Sequence, residues 1–152
     1  MSIIRFSVKA ILDTSVYIPF INRGITHPAV EMQAGKPMLY MSAVVMEELY
    51  AGAFDAASIK LLDRLYEVYE KLGRLVVPSA TDWQKTGKVI AKLGRKHGFE
   101  SRYLARMQND VLIALCARQI GAYVITRNMT DFQRIREFVD FKLYTDEEGI
   151  EA

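Results

Sequence analysis

Apolar and polar positions along this chain alternate between two periods, and the switches between them mark out its elements. Short apolar, β-branched or aromatic runs at residues 8–12, 38–41, 75–77, 122–126 and 141–144 predict five strands. Between them, apolar residues recur at spacings of three and four, the mark of helices with one buried face. These predicted helices start near Val16 and Ala43, span 29–34, 57–72, 110–120 and 132–139, and include one that ends near His97. Ser42, Ser79 or Thr81, and Asn109 with Asp110 are N-cap candidates, while Gly35, Gly73, Gly98 and Gly121 read as stops. Pro19 falls in the first turn or two of its helix, where a missing N–H costs least.

Strands that alternate with helical segments predict an α/β fold with a mainly parallel sheet of four to five strands, covered on both faces. At 152 residues and 51% hydrophobic, with no repeat, low-complexity tract or linker, one domain over residues 1–152 is expected. The single cysteine, Cys116, lies on an apolar helix face, which excludes an intramolecular disulfide and fits a core residue. No apolar run approaches the roughly 18 residues of a membrane span, and Arg5 and Lys9 interrupt the first apolar stretch too early for a signal peptide. A soluble, cytoplasmic protein with no membrane contact is expected. The net charge of +2 decides little, but its distribution does. Between Lys85 and Arg106 seven basic residues face the single acid Glu100, and Lys85, Lys88, Lys92 and Lys96 form a stripe that must meet solvent or a polyanion.

Four acids stand at element ends or against apolar faces. Asp13 closes the first strand, Glu48 borders the buried face of a helix, Asp110 is expected at a helix start, and Asp131 follows the fourth strand. Each has a bland alternative as a helix cap, least so Glu48, because a carboxylate beside a buried face is costly unless paired or coordinated. If the four converge, their mutual repulsion calls for a cation, and an all-oxygen donor set selects Mg²⁺ or Mn²⁺. Such a centre suits displacement at phosphorus.

Three motifs in order then resemble the PIN-domain ribonucleases of the VapC toxin type: ILDTS with Asp13, SAVVMEELYAG with Ser42, Glu48, Leu49 and Gly52, and NDVLIALCARQIGAYVITRNMTDF with Asp110. The resemblance spans most of the chain and implies a three-layer α/β/α fold and a metal-dependent endoribonuclease. Asp13, Glu48, Asp110 and Asp131 are then the catalytic carboxylates, the first three holding Mg²⁺ or Mn²⁺. Many relatives carry an acid where Asn128 stands, so the fourth position falls to Asp131 or Asn128. Thr14, Thr126 and Asn128 are implied substrate contacts, with Lys88 and Lys92 gripping the RNA backbone. Glu47 is an alternative to Glu48, disfavoured by its helix face. The resemblance also implies an antitoxin partner and a homodimer. The competing functions are an RNA-processing nuclease outside a toxin–antitoxin pair, a catalytically silent RNA-binding module, and a phosphatase with Asp13 as nucleophile. The phosphatase lacks its usual second Asp, because Ser15 occupies that place.

Overall fold

The first apolar run becomes β1 (Lys9–Leu12), whose last three residues are buried and which forms the middle of the sheet. The structure is a computed structural model and describes residues 8–30, 37–98 and 100–145. After β1 come α1 (Thr14–Arg23), β2 (Met38–Ser42), α2 (Ala43–Ala51), α3 (Ala56–Lys71) and β3 (Leu75–Val76). They are followed by α4 (Ala80–His97), α5 (Ser101–Ile120), β4 (Tyr123–Ile125), α6 (Met129–Arg136) and β5 (Lys142–Leu143). The strands line up as β3-β2-β1-β4-β5, every neighbouring pair is parallel, and the six helices flank the sheet to give three α/β/α layers. The chain order moves outward from β1 to one edge and then returns to its other side. The switch point of this doubly wound sheet therefore lies between β1 and β4, at the strand ends where such folds place their sites.

Helix α5 is the central packing element. Residues 110–117 are all buried, as expected of a helix enclosed on every side, and Met107, Leu112, Ile113 and Leu115 are among the largest fully buried side chains. Cys116 lies there as the core residue expected; Ser42 Oγ donates to its Sγ at 3.4 Å, and burial pushes the thiol up to about 11.

Two expected boundaries are corrected. Helix α5 begins nine residues before the expected position, capped by Glu100, whose carboxylate accepts from the backbone N–H groups of Arg102 and Tyr103. Asp110 is thus inside a helix instead of at its start. Asn109 and Asp110 have strong cap propensity, but the apolar spacing continues backward through Leu104 and Met107, and Met107 is fully buried. Helix α6 likewise starts at Met129, so Asp131 lies in its first turn and not in a preceding loop. The helix expected at 29–34 is described only as a 3₁₀ turn, Pro28–Val30, its remainder lying outside the described residues.

Gly121 ends α5 at φ +69°, where its N–H bonds to the carbonyls of Ala117 and Arg118. A Cβ there would meet no atom within 4 Å, so the conformation alone sets the cost of adding one. Gly121→Ala is expected to lower stability by about 1 kcal/mol, read in a denaturant titration as a lower midpoint with an unchanged slope.

Candidate active site

The sheet itself builds the site. β1 and β4 pair side by side, Leu12 opposite Ile125, and the Asp13 N–H extends the ladder to the Ile125 carbonyl at 3.1 Å. The next residues, Asp13 and Thr126, therefore emerge together at the switch point, and Thr126 Oγ1 donates to Asp13 Oδ2 at 2.8 Å. Asp13 occupies the N-cap position of α1 but makes no cap bond; its Oδ1 accepts from Ser15 Oγ at 2.6 Å. Ser15 Oγ in turn accepts from the Arg127 N–H at 2.9 Å, and Thr126 Oγ1 accepts from the Asn128 N–H at 2.8 Å. These bonds stitch the β1–α1 and β4–α6 turns to each other.

Glu48 joins from α2. Its Oε1 accepts from Thr14 Oγ1 at 2.6 Å and its Oε2 from Asn109 Nδ2 at 3.2 Å, whereas Glu47 points to solvent. Asp131 Oδ2 accepts from Arg106 Nε at 3.0 Å and from Asn128 Nδ2 at 2.9 Å. Asp110, one helical turn beyond Arg106, completes the set. Its Oδ2 is buried and makes no hydrogen bond among the described residues.

Burial and mutual repulsion set the electrostatics. The Asp110 carboxyl is pushed up to about 8, first by burial, then by the charges of Asp13, Asp131 and Glu48, with Arg106 opposing. Burial pushes Asp13 up to about 6 against the hydrogen bonds of Ser15 and Thr126, with Glu48 adding a smaller upward push. The four expected acids therefore share one electrostatic neighbourhood. Among the described residues no three carboxylate, imidazole or thiol groups already stand as a closed cage for an ion. The oxygens of Asp13, Glu48 and Asp131 are turned to hydroxyl, amide and guanidinium donors instead. The residues present nevertheless fit a hard divalent cation: all the candidate ligands offer oxygen, negative charge is in excess, and one buried carboxylate oxygen lacks a donor among the described residues.

Thr14, Thr126 and Asn128 lie within this cluster, where their donors orient carboxylates. Lys88 and Lys92 are exposed on α4 and share no hydrogen bond with it. Three contributors escaped the sequence expectations: Ser15, Asn109 as a partner of Glu48, and Arg106 as a partner of Asp131. Extending α5 backward would have found two of them, since Arg106 and Asp110 stand four apart on one helix face and Asn109 adjoins it.

Fold and site together define an α/β domain with a carboxylate centre at its topological switch point. The chain belongs to the PIN-domain family, a family of nucleases: the family model for the PIN domain matches residues 10–137. No curated protein matches it at a significant level. Its fold is similar to that of a chain of DNA-bound VapBC from Salmonella typhimurium, at TM-score 0.63 and 22% identity over 90% of this chain and 96% of that one. A chain of FitAcB from Neisseria gonorrhoeae aligns at TM-score 0.62 and 22% identity over 91% and 99% of the respective chains. For VapBC-1 from nontypeable Haemophilus influenzae the values are 0.59, 22%, 90% and 96%. At these identities the likeness is one of fold. No helix among the described residues is long and apolar enough to cross a membrane.

Proposed function

We propose that this protein is a metal-dependent endoribonuclease that cleaves RNA phosphodiester bonds, acting as the toxin of a toxin–antitoxin pair. The observation that carries the reading is the buried, undonated Oδ2 of Asp110 among Asp13, Glu48 and Asp131. A purely structural site would not gather four acids and leave one unsatisfied, because the arrangement costs stability that nothing in the fold returns.

Asp13, Asp110 and Glu48 would hold Mg²⁺ or Mn²⁺. When bound, the ion supplies charge neutralisation and Lewis acidity at the scissile phosphate. The chain's own residues do the positioning. Ser15 and Thr126 hold both oxygens of Asp13, Thr14 and Asn109 hold both of Glu48, and Asn128 binds Asp131. The carboxylates are thereby fixed before substrate arrives, so little reorganisation remains at the moment of reaction. In the same proposal Thr14, Thr126 and Asn128 border the RNA. The likeness to chains of VapBC and FitAcB assemblies supports an antitoxin partner, and a homodimer belongs to the same proposal. The test is cleavage of single-stranded RNA that EDTA abolishes, run beside a phosphatase assay. Phosphomonoester hydrolysis without RNA cleavage would favour the phosphatase; metal and RNA binding without cleavage of any RNA, the silent module.

Lys88 and Lys92 extend the proposal outward along α4, where neither has an acidic partner among the described residues. Reversing both charges is expected to weaken RNA binding about tenfold at low salt. It should also reduce the dependence of log K on log salt by about 1.4, or roughly 0.7 for each phosphate that is no longer neutralised. Unchanged affinity and slope would make this stripe a solvated face only.

A further inference from the structure

Of the four site acids, Asp131 is the one that forms an ion pair among the described residues. It is more than nine-tenths buried, and the single oxygen Oδ2 takes both Arg106 Nε and Asn128 Nδ2. Among the described residues Asp13 and Glu48 accept only from neutral hydroxyl and amide groups, so their charge remains to be balanced. The charge of Asp131 is already met by the guanidinium of Arg106.

Arg106 itself is in an unusual state. Its side chain is 57% exposed, yet its inner edge is fixed to Asp131, and its guanidinium lies 5.5 Å from the centre of the Tyr103 ring. Tyr103 is held in turn, its hydroxyl accepting from Arg134 Nη1 at 3.1 Å. The two terminal nitrogens of Arg106 make no hydrogen bond among the described residues. An arginine pinned through Nε, with its outer fork open, is pre-organised to take two oxygens of one phosphate, and little side-chain freedom remains to be lost. Position adds the second argument. Arg106 stands one helical turn before Asp110, on the same face of α5, at the edge of a centre whose negative charge would repel an incoming phosphodiester.

We propose that Arg106 binds a backbone phosphate of the RNA beside the carboxylate centre, and that Asp131 is its positioning residue, holding the guanidinium instead of a metal ion. This rests on the ribonuclease proposal for the identity of the polyanion. It divides the four acids into a ligand set of three, Asp13, Glu48 and Asp110, and a fourth that aims a cation at the substrate.

Two arms test it. In the first, Mn²⁺ binding is measured by calorimetry on otherwise unmodified protein. Asp131→Asn is expected to keep the dissociation constant within about twofold of wild type while Asp13→Asn loses binding. Loss in both would make Asp131 a ligand and overturn the assignment. In the second, the affinity of a single-stranded RNA oligonucleotide is followed against salt in an Asp110→Asn background, so that the RNA survives. Adding Arg106→Ala is expected to lower the slope by about 0.7, the share of one phosphate on a single strand. Arg106→Lys should restore the slope. In the otherwise wild-type enzyme, Arg106→Ala should slow cleavage by about 100-fold. Arg106→Lys should recover only part of that rate, since lysine has neither the fork nor the nitrogen that Asp131 grips. An unchanged slope in Arg106→Ala overturns the phosphate contact. A wild type that binds no Mn²⁺ would instead remove the metal-site proposal, and the salt slope alone would then decide for or against Arg106.

Discussion

Asp110→Asn is expected to abolish RNA cleavage, by roughly 10³-fold or more, while raising the melting temperature of the metal-free protein by several degrees. Both effects have one origin. Asp110 is 8% exposed, one of its oxygens has no donor among the described residues, and its carboxyl is pushed up to about 8 by burial and by the charges of Asp13, Asp131 and Glu48. Without a cation at pH 8 it must either carry a buried charge or hold a proton that the unfolded chain releases, and either destabilises the fold by an amount on the order of a few kcal/mol. The amide has the same shape and no charge, so that cost disappears along with the proposed ligand. Thermal melts in EDTA at pH 8, with cleavage assays on the same preparations, check both halves. A variant that melts lower than wild type would mean that Asp110 is a structural acid and would contradict the account.

The second large effect concerns pH. Asp110 and Asp13 both hold their protons more tightly in the folded protein than in the unfolded chain, at about 8 and about 6 against an ordinary 3.8. Between pH 4 and those values the native state binds the extra protons, so stability falls as pH rises. The Asp13 contribution is spent by about pH 6, and that of Asp110 by about pH 8. Asp55 and Glu137, whose carboxyls are held below their usual range, act in the opposite sense, but only at more acid pH and from exposed positions. The metal-free protein is therefore expected to melt several degrees lower at pH 8 than at pH 5. Because a cation needs the ionised carboxylates, saturating Mn²⁺ should raise the melting temperature far more at pH 8 than at pH 6. Equal stabilisation at the two values would mean that the ion binds elsewhere.

The sheet was legible in the sequence, and so were the four acids that the fold brings into one neighbourhood; how they are arranged there was not. Each strand is a short, nearly continuous apolar run, because a parallel sheet is buried on both faces, and that signal survives without context. Glu48 could be separated from Glu47 by helix face alone, and the structure likewise exposes Glu47. Asp110 misled for a physical reason: Asn and Asp are the commonest caps, so a buried Asp inside a helix looks like its beginning. Its position is locally unfavourable, and conflicts between local preference and global fold concentrate at working sites. The same error hid Arg106 and Asn109, which take part in the site only once α5 extends back to Ser101. That Arg106 pairs with Asp131 was hidden for a second reason. The pairing with Arg106 spans 25 residues of chain and arises from how α6 lies against α5, which no local pattern encodes.

The central claim is that Asp13, Glu48 and Asp110 form a cation-dependent centre for RNA cleavage. Its most direct test is to expose a panel of single-stranded and structured RNAs to wild type and Asp110→Asn, each with Mg²⁺, with Mn²⁺ and with EDTA. Cleavage by wild type in either metal, absent in EDTA and absent in Asp110→Asn under every condition, is the predicted result. Cleavage that persists in EDTA, or that Asp110→Asn retains at the wild-type rate, would contradict it.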